Sequence, residues 1–188
     1  MRPLAAVLFT VLLGACASSD DHRQHAVQAP PRTVWIVGAD GRAAGQATFM
    51  EGPQGVLIRL EFSAGALPPG WHGAHLHERG DCSDFANGFT AAGAHIGSGG
   101  GTQHGLMHGS GPEAGDLPNL FASPGGAFGA EFFSPHVTLN HTAVRTRQPL
   151  LDNDGSALII HAAPDDQATQ PIGGAGARLA CAALTQLP

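Results

Sequence analysis

The chain has 188 residues, which is enough for one domain and too few for two large ones. Its 27 glycines and 14 prolines show no Gly-X-Y repeat, so a collagen and a helical bundle are both excluded. The formal net charge of -6 argues against general nucleic-acid binding. Eleven histidines and three cysteines are the unusual part of the composition, and they point to metal binding.

The first residues have the pattern of an export signal. Residues 4–15 form an apolar run after Arg2 that is too short to cross a bilayer, so we predict that residues 1–15 are a signal peptide. The sequence LGAC at 13–16 resembles a bacterial lipobox, which implies cleavage before Cys16 and a lipid on that cysteine. The alternative is an ordinary signal peptide that a cysteine follows by chance.

Residues 16–32 are expected to tether the following domain to the membrane. The segment is polar and ends in prolines and an arginine, as solvated linkers do. His22 and His25 lie in it, and we interpret them as linker residues rather than as a metal site. Ala17 after Cys16 favours the outer membrane, so the predicted location is the periplasm, with membrane contact only through the lipid.

The remainder, residues 33–188, is predicted to be one all-β domain. In the run GVLIRLEF at 55–62, apolar and charged residues alternate as in a half-buried strand. Turn sequences such as Asp40-Gly41 separate several runs, and no sustained helical period occurs after residue 32. This pattern is typical of an antiparallel sandwich or barrel. The predicted strands are residues 33–38, 45–50, 55–62, 72–77, 127–133, 136–140, 156–161 and 178–184.

A glycine-rich stretch at 79–119 interrupts the strand pattern. A loop of this length is uncommon in a small domain unless it is functional or tied internally. Because its apolar content is low, we expect a disulfide and a metal to supply its order. The residues in it with suitable side chains are Cys82, His95, His104, His108, Glu113 and Asp116.

His75 and His77 form an H-x-H pair on a predicted strand. Residues i and i+2 point to the same side of a strand, so both imidazoles can reach one metal ion. The pair alone is a modest signal. His161, which closes the apolar strand SALIIH, and the histidines of the long loop strengthen it, because several such sites in one chain are hard to attribute to chance.

With these motifs the domain resembles bacterial copper–zinc superoxide dismutases over residues 33–187. The motifs that carry the resemblance are HGAHLHERGDC, AAGAH, HGLMHGSGPEAGDLPNL, LLDNDGSALIIHA and GGAGARLAC. The resemblance implies a Greek-key antiparallel β-sandwich or barrel of about eight strands with long metal-binding and electrostatic loops. It also implies the dismutation of the superoxide anion to dioxygen and hydrogen peroxide at a copper centre.

The same resemblance implies two sets of metal ligands. The implied copper ligands are His75, His77, His95 and His161, and the implied zinc ligands are His95, His104 and Asp116. The resemblance further implies that His95, the histidine common to both sets, bridges the two metals and delivers a proton during turnover.

The third zinc position departs from the family pattern. Where the family has a histidine before Ala-Gly-Asp, this chain has Glu113. Zinc accepts carboxylate oxygen at about 2.0–2.2 Å, so Glu113 is a candidate ligand, with weaker or less selective zinc binding expected. The alternatives are a vacant position and His108 from the glycine-rich loop, and we rank His108 last.

The resemblance implies two further structural roles. Asp165 occupies the position of an aspartate that hydrogen-bonds a copper ligand and a zinc ligand, which here are His75 and His104. The alternative is an aspartate that caps a loop. Cys82 and Cys181 match the intrasubunit disulfide of the family.

Arg178, in GARLAC, occupies the position of an arginine that lines the copper channel in the family. A fixed guanidinium near the metal attracts and orients the superoxide anion. The loop 164–177 contains no basic residue, so we expect no strong steering from that loop.

Two other functions stay open on this fold. The main alternative is a copper-binding or copper-buffering lipoprotein without turnover, since a fold does not determine a function. The other is a structural sandwich with a decayed site. The complete set of histidines and Arg178 favour the enzyme, because a copper buffer needs no arginine that attracts anions. The oligomeric state is left open between monomer and homodimer.

Overall fold

The computed structural model describes residues 30–186. The predicted signal peptide, Cys16, His22 and His25 lie outside the described residues. The first strand begins at Arg32, one residue before the predicted start of the domain. Across the described part of the chain, no helix is long and apolar enough to span a membrane.

Short strands make up almost all of the regular structure of residues 30–186. The strands are β1 (Arg32–Gly38), β2 (Ala43–Gly52), β3 (Gly55–Phe62), β4 (Gly70–His72), β5 (Ala74–His77), β6 (Leu120–Ala122), β7 (Phe128–Ser134), β8 (Val137–Thr138), β9 (Gln148–Pro149), β10 (Ser156–His161) and β11 (Arg178–Leu184). Two 3-10 helices, Phe85–Asn87 and Thr90–Ala92, lie in the long loop after β5. The predicted all-β class is confirmed.

The strands form an incomplete barrel with Greek-key topology. Seven of them make one antiparallel sheet in the order β5-β10-β11-β1-β2-β3-β7. β4 leads into β5 and pairs with β6, which also contacts β7. With β4 and β5 counted as one position and β6 added to the seven-stranded sheet, the barrel has eight strand positions, as predicted. The chain passes from β3 to β4 and returns through β6 to β7 beside β3, which is a Greek-key connection.

The alternating pattern of β3 explains how the sequence builds the core. The four apolar side chains at positions 56, 58, 60 and 62 are buried, whereas Arg59 and Glu61 between them are exposed. On the outer face, Arg59 Nη2 lies 2.8 Å from Glu131 Oε2 of β7. Burying each large apolar side chain contributes about 1.5–3 kcal/mol, so the inner face of this strand stabilises the sheet.

The structure differs from the predicted strands in several places. The predicted strand 72–77 is divided at Gly73, whose N–H donates to Ala163 O at 2.9 Å. A Cβ at this position would lie 3.0 Å from the Cβ of Ala175, so glycine permits the close approach of the loop after β10. The predicted strand 136–140 is reduced to β8. The sequence does not predict β6 and β9, because each is too short to show an alternating pattern.

Candidate metal centre

The long loop after β5 is bound to that strand through backbone hydrogen bonds. Leu76 N–H donates to Gly115 O at 2.8 Å, and Ile96 N–H donates to Leu76 O at 2.9 Å. A Cβ on residue 115 would overlap the carbonyl oxygen of Leu76, so only glycine allows this approach. The loop that the sequence leaves without strand signal is therefore held along the edge of the sheet.

These hydrogen bonds bring the side chains of the loop to the H-x-H pair of β5. Backbone bridges place His95 beside His77, and Asp116 beside His75. On the other edge of β5, antiparallel pairing with β10 places His161, the last residue of β10, near the H-x-H pair. All five side chains are buried, so the fold encloses them in the protein.

Two groups of side chains have ligand atoms close enough to hold a metal ion. In each group the ligand atoms all lie within 4.8 Å of one another. The first group is His75, His77, His95 and His161, and the second is His75, His95, His104 and Asp116. The structure thus brings together all four residues expected to bind copper and the three expected to bind zinc.

In the first group, one ring nitrogen of each histidine is buried and has no hydrogen-bond partner in the described part of the chain. These atoms are His75 Nδ1, His77 Nε2, His95 Nε2 and His161 Nε2. An unpaired polar atom is costly to bury, so four of them in one place indicate that the group binds a ligand. Imidazole nitrogens suit copper, which also heads the affinity order of the divalent metals.

The other ring nitrogen of each of these histidines faces an oxygen. The four contacts are His75 Nε2 to Asp165 Oδ2 (2.8 Å), His77 Nδ1 to Gly93 O (2.9 Å), His161 Nδ1 to Gly176 O (3.0 Å) and His95 Nδ1 to Glu113 Oε2 (3.0 Å). Carbonyl and ionised carboxylate oxygens only accept hydrogen bonds, so these nitrogens carry the protons. The unpartnered nitrogens then carry the lone pairs that a metal needs.

Burial disfavours the charged form of three histidines of the first group, His75, His77 and His161. It lowers the pKa of His161 to about 3, and the neighbouring His75 adds to the effect. Burial and the nearby His95 put the pKa of His77 well below its ordinary value of 6.5. Burial also lowers the pKa of His75, although the hydrogen bond to Asp165 opposes it. Neutral imidazoles lose no proton on binding a metal.

Asp116 is the centre of the second group. Its Oδ1 lies 2.7 Å from His104 Nδ1, and its Oδ2 accepts the backbone N–H groups of Gly105 at 2.7 Å and Glu113 at 2.9 Å. Burial raises the pKa of Asp116, but hydrogen bonds from His95 and Gly105 and the charge on His104 outweigh it and bring the pKa down to about 2. An ionised carboxylate beside imidazole nitrogens suits zinc.

Glu113 is buried beside the second group but is not one of its four members. The residue is 5% exposed, and its Oε2 approaches His95 Nδ1. His108, the other candidate, is half-buried, and its Nδ1 accepts the N–H of Ser110 at 3.2 Å. It belongs to neither metal-binding group found among residues 30–186.

Asp165 joins the two groups through hydrogen bonds. Its Oδ2 accepts from His75 Nε2, and its Oδ1 lies 3.2 Å from His104 Nε2. Burial lowers the pKa of His104, but Asp116 and Asp165 on its two sides outweigh burial and raise the pKa. Asn119 holds the Asp165 backbone, donating to its carbonyl at 2.8 Å and accepting its N–H at 2.9 Å. Sequence reasoning missed Asn119, although it lies within the quoted motif GDLPNL.

Arg178 lies at the start of β11, opposite His161 on β10. Its guanidinium donates to Phe89 O at 2.6 Å and to Gly93 O at 2.7 Å. Among residues 30–186, no carboxylate forms a salt bridge with it. Backbone oxygens therefore fix the guanidinium in place without neutralising its charge.

Cys82 and Cys181 form a disulfide, which confirms the predicted pair. Their Cα atoms are 5.8 Å apart, and their sequence separation is 99 residues. The bridge packs in a small apolar cluster that includes Phe89 and Ile159. It ties the first part of the long loop to β11, three residues beyond Arg178.

The chain matches a known protein family over the part that contains both groups. A profile of the family described as "Copper/zinc superoxide dismutase (SODC)" matches residues 43–184. The chain belongs to the copper/zinc superoxide dismutase family. Copper and zinc are the metals that the family's description names, and both ligand groups, Asp165 and Arg178 lie within the matched residues.

Individual relatives agree with the family assignment. A Cu-Zn superoxide dismutase of Caulobacter vibrioides is 48% identical over 152 residues, which cover 81% of this chain and 84% of the relative. A second Cu-Zn superoxide dismutase, from Aquifex aeolicus, is 36% identical over 98% of this chain and 99% of its own length. Among solved structures, a double mutant of a SOD-like protein from Bacillus subtilis has a TM-score of 0.74 at 35% identity, covering 82% of this chain and 97% of that one.

Proposed function

We propose that this protein dismutates superoxide to dioxygen and hydrogen peroxide at a copper centre in the cell envelope. The observation that carries the proposal is the set of four buried, unpartnered imidazole nitrogens in a member of this family. Arg178 supports it further, since a guanidinium without a carboxylate partner is suited to attract an anionic substrate.

The two groups of ligands would hold the two metals of the family. His75, His77, His95 and His161 would hold copper, and His95, His104 and Asp116 would hold zinc with Glu113 as a fourth donor. Bound copper would supply one-electron redox chemistry, and bound zinc would supply a positive charge beside His95. Because Glu113 adds a negative charge where the family has an imidazole, we expect weaker zinc binding here.

Two residues would act on the substrate and its proton. Arg178 attracts superoxide and orients it, because two backbone carbonyls fix its guanidinium in a defined position. His95 Nε2 faces the first group and has no hydrogen-bond partner among residues 30–186, so it can hold a proton there whenever it does not bind metal. That proton is then available to the reduced product.

Turnover by the metal-loaded protein tests this proposal. We would load residues 17–188 with copper, and then with copper and zinc, and measure superoxide decay. His161→Gln should abolish turnover by removing one ligand of the first group. His136→Gln, which changes a histidine outside both groups, is the matched control. Copper that binds without turnover in either state would overturn the enzyme and favour a copper-binding protein.

The location in the cell envelope rests on the first residues of the chain. The apolar run at 4–15 and the LGAC sequence support cleavage before Cys16 and its lipidation. Labelling of the full-length protein with a radioactive fatty acid should succeed and should fail for Cys16→Ser. Membrane fractionation then tests the outer-membrane location, and label retained by the variant would contradict the anchor.

The protein is expected to be a monomer or a homodimer. Light scattering of the mature protein after size-exclusion chromatography measures the mass directly. A larger assembly would contradict this expectation.

A further inference from the structure

Three of the four imidazoles of the first group are oriented by acceptors that do not belong to the second group. Gly93 O and Gly176 O hold His77 and His161, and Asp165 holds His75. For His95, the nearest acceptor to Nδ1 among residues 30–186 is Glu113 Oε2 at 3.0 Å, with Asp116 Oδ1 of the second group farther away at 3.5 Å. This glutamate is also the residue at which the chain departs from the family pattern.

We propose that Glu113 is a positioning residue for His95 that acts when zinc is not bound. Its carboxylate accepts the hydrogen of His95 Nδ1 and thereby keeps the lone pair of His95 on Nε2, facing the other three histidines. This inference rests on the proposed function for the role of copper. It adds that the copper ligands are complete and correctly oriented in the protein without zinc.

The other carboxylate near His95 is not free to take this role. Asp116 Oδ1 lies 3.5 Å from His95 Nδ1, which is longer than the 3.0 Å to Glu113 Oε2. The same Asp116 oxygen is already 2.7 Å from His104 Nδ1, and the second oxygen of Asp116 accepts two backbone N–H groups. Glu113 therefore provides the shorter and less occupied acceptor.

The backbone around Glu113 is held firmly enough to position a side chain. Glu113 N–H donates to Asp116 Oδ2 at 2.9 Å, and the Asp116 N–H donates to Glu113 O at 3.1 Å. Gly115 between them is bound to both Leu76 and Ile96. The Glu113 carboxylate is itself buried, with 7% of its side chain exposed, so water competes little for its oxygens.

A carboxylate on the far nitrogen of a ligand histidine has a defined chemical effect. It selects the tautomer that leaves the other nitrogen unprotonated, orients the ring and makes that nitrogen a stronger ligand. Removing such a partner costs about 10- to 100-fold in metal affinity. Glu113 should therefore influence copper binding although it lies on the far side of His95 from the first group.

The tautomer of His95 gives the direct test. Long-range proton–nitrogen NMR correlations of the ¹⁵N-labelled, metal-free protein distinguish Nδ1–H from Nε2–H, and the spectrum of His95→Gln assigns the signals. We expect Nδ1–H in the unmodified protein and a shift towards Nε2–H in Glu113→Ala. An Nε2–H tautomer in the unmodified protein, or a Glu113→Ala spectrum without change at His95, would overturn the proposal.

Copper affinity gives a second readout. Competition with a chelator in zinc-free buffer should show Cu(II) binding about 10- to 100-fold weaker in Glu113→Ala than in the unmodified protein. Glu113→Gln keeps the shape of the side chain and one accepting oxygen, so it should lose less copper affinity than Glu113→Ala. It is used in place of the alanine variant if that variant does not fold. The matched control is Glu61→Ala, which changes an exposed glutamate of β3 and should bind copper normally.

The outcomes separate this inference from the proposed function. A copper-loaded protein without turnover would overturn the enzyme, whereas the tautomer and the copper affinity would still report on Glu113. Equal copper affinities for Glu113→Ala and Glu61→Ala would overturn the role of Glu113 even if turnover were fast.

Discussion

His77 and Arg178 donate hydrogen bonds to the same backbone oxygen. Gly93 O accepts from His77 Nδ1 at 2.9 Å and from Arg178 Nη2 at 2.7 Å. One carbonyl therefore determines both which nitrogen of His77 is free and where the positive charge of Arg178 lies. The Cys82–Cys181 disulfide holds the two segments that make this contact.

Replacing Arg178 should slow the capture of superoxide. Arg178→Ala removes the fixed charge and should lower kcat/KM by about tenfold or more, because charged sites raise association rates by about 10- to 1000-fold. Arg178→Lys should lie in between, since it keeps the charge but not the fork that binds two carbonyls. Stopped-flow superoxide decay at low and high salt measures the effect. An equal loss in Arg59→Ala, on the outer face of the sheet, would contradict it.

Gly173 should be essential for the position of Asp165. A Cβ on residue 173 would overlap Asp165 Oδ1, the oxygen that faces His104. Gly173→Ala should displace the carboxylate and weaken metal binding by about 10- to 100-fold. Gly174→Ala is the matched control, because Gly174 has a similar positive φ (70° against 58°) but no atom of residues 30–186 within 4 Å of an added Cβ. Equal effects of both changes would show that backbone strain alone is responsible.

The metal-free protein should lose stability in mild acid. Burial lowers the pKa of His161 to about 3, so between pH 6.5 and 3 the unfolded chain binds a proton that the folded chain does not. His161 alone should lower the free energy of unfolding by about 2 kcal/mol at pH 5. His75 and His77, whose pKa values are also lowered, act in the same direction. His104, whose pKa is raised, acts in the opposite direction, because its stabilisation is complete below pH 6.5 and is lost as the pH rises. We expect the three histidines with lowered pKa values to outweigh it.

Urea unfolding of the metal-free protein at pH 7.5 and at pH 5 measures this dependence. The unfolding midpoint should be lower at pH 5. A midpoint that stays constant between these two values would mean that the buried histidines are not neutral in the folded protein.

Replacing Glu113 with histidine should strengthen zinc binding. Glu113→His replaces a carboxylate with a neutral imidazole next to Asp116, which relieves the repulsion between two negative ligands. We expect zinc affinity to rise by about tenfold or more, since even partners outside the ligand set change affinity by this much. Isothermal titration of the copper-loaded protein with zinc provides the measurement. Unchanged affinity would mean that Glu113 does not weaken the site.

The disulfide should stabilise the protein mainly by restricting the conformations of the unfolded chain. Closing a loop of about 100 residues is worth about 4–5 kcal/mol in the loop-entropy account. The Cys82→Ser, Cys181→Ser double variant should lose free energy of unfolding of that order, as measured by urea titration without reductant. Adding reductant should destabilise the unmodified protein but not the variant, and a variant as stable as the oxidised protein would contradict the prediction.

Local patterns predicted the strands that are long enough to alternate. β3 follows from its alternating apolar and charged residues, and β10 and β11 follow from short apolar runs. The H-x-H pair places two imidazoles on one side of a strand. β6 and β9 were not predicted, because strands of two or three residues are too short to show an alternating pattern. The break at Gly73 was not predicted either, since it depends on the loop after β10, which lies far along the chain.

The sequence by itself determined the all-β class, the ligand residue types, the disulfide pair and the family resemblance. These follow from periodicity and motifs, which depend on the order of residues along the chain. Only the tertiary structure decided which nitrogen of each histidine is free. That choice depends on oxygens from other segments, such as Gly93 O for His77 and Glu113 Oε2 for His95. The contact between Glu113 and His95 joins two parts of a loop that has no regular structure of its own there, so it arises only when hydrogen bonds to β5 fold that loop onto the sheet.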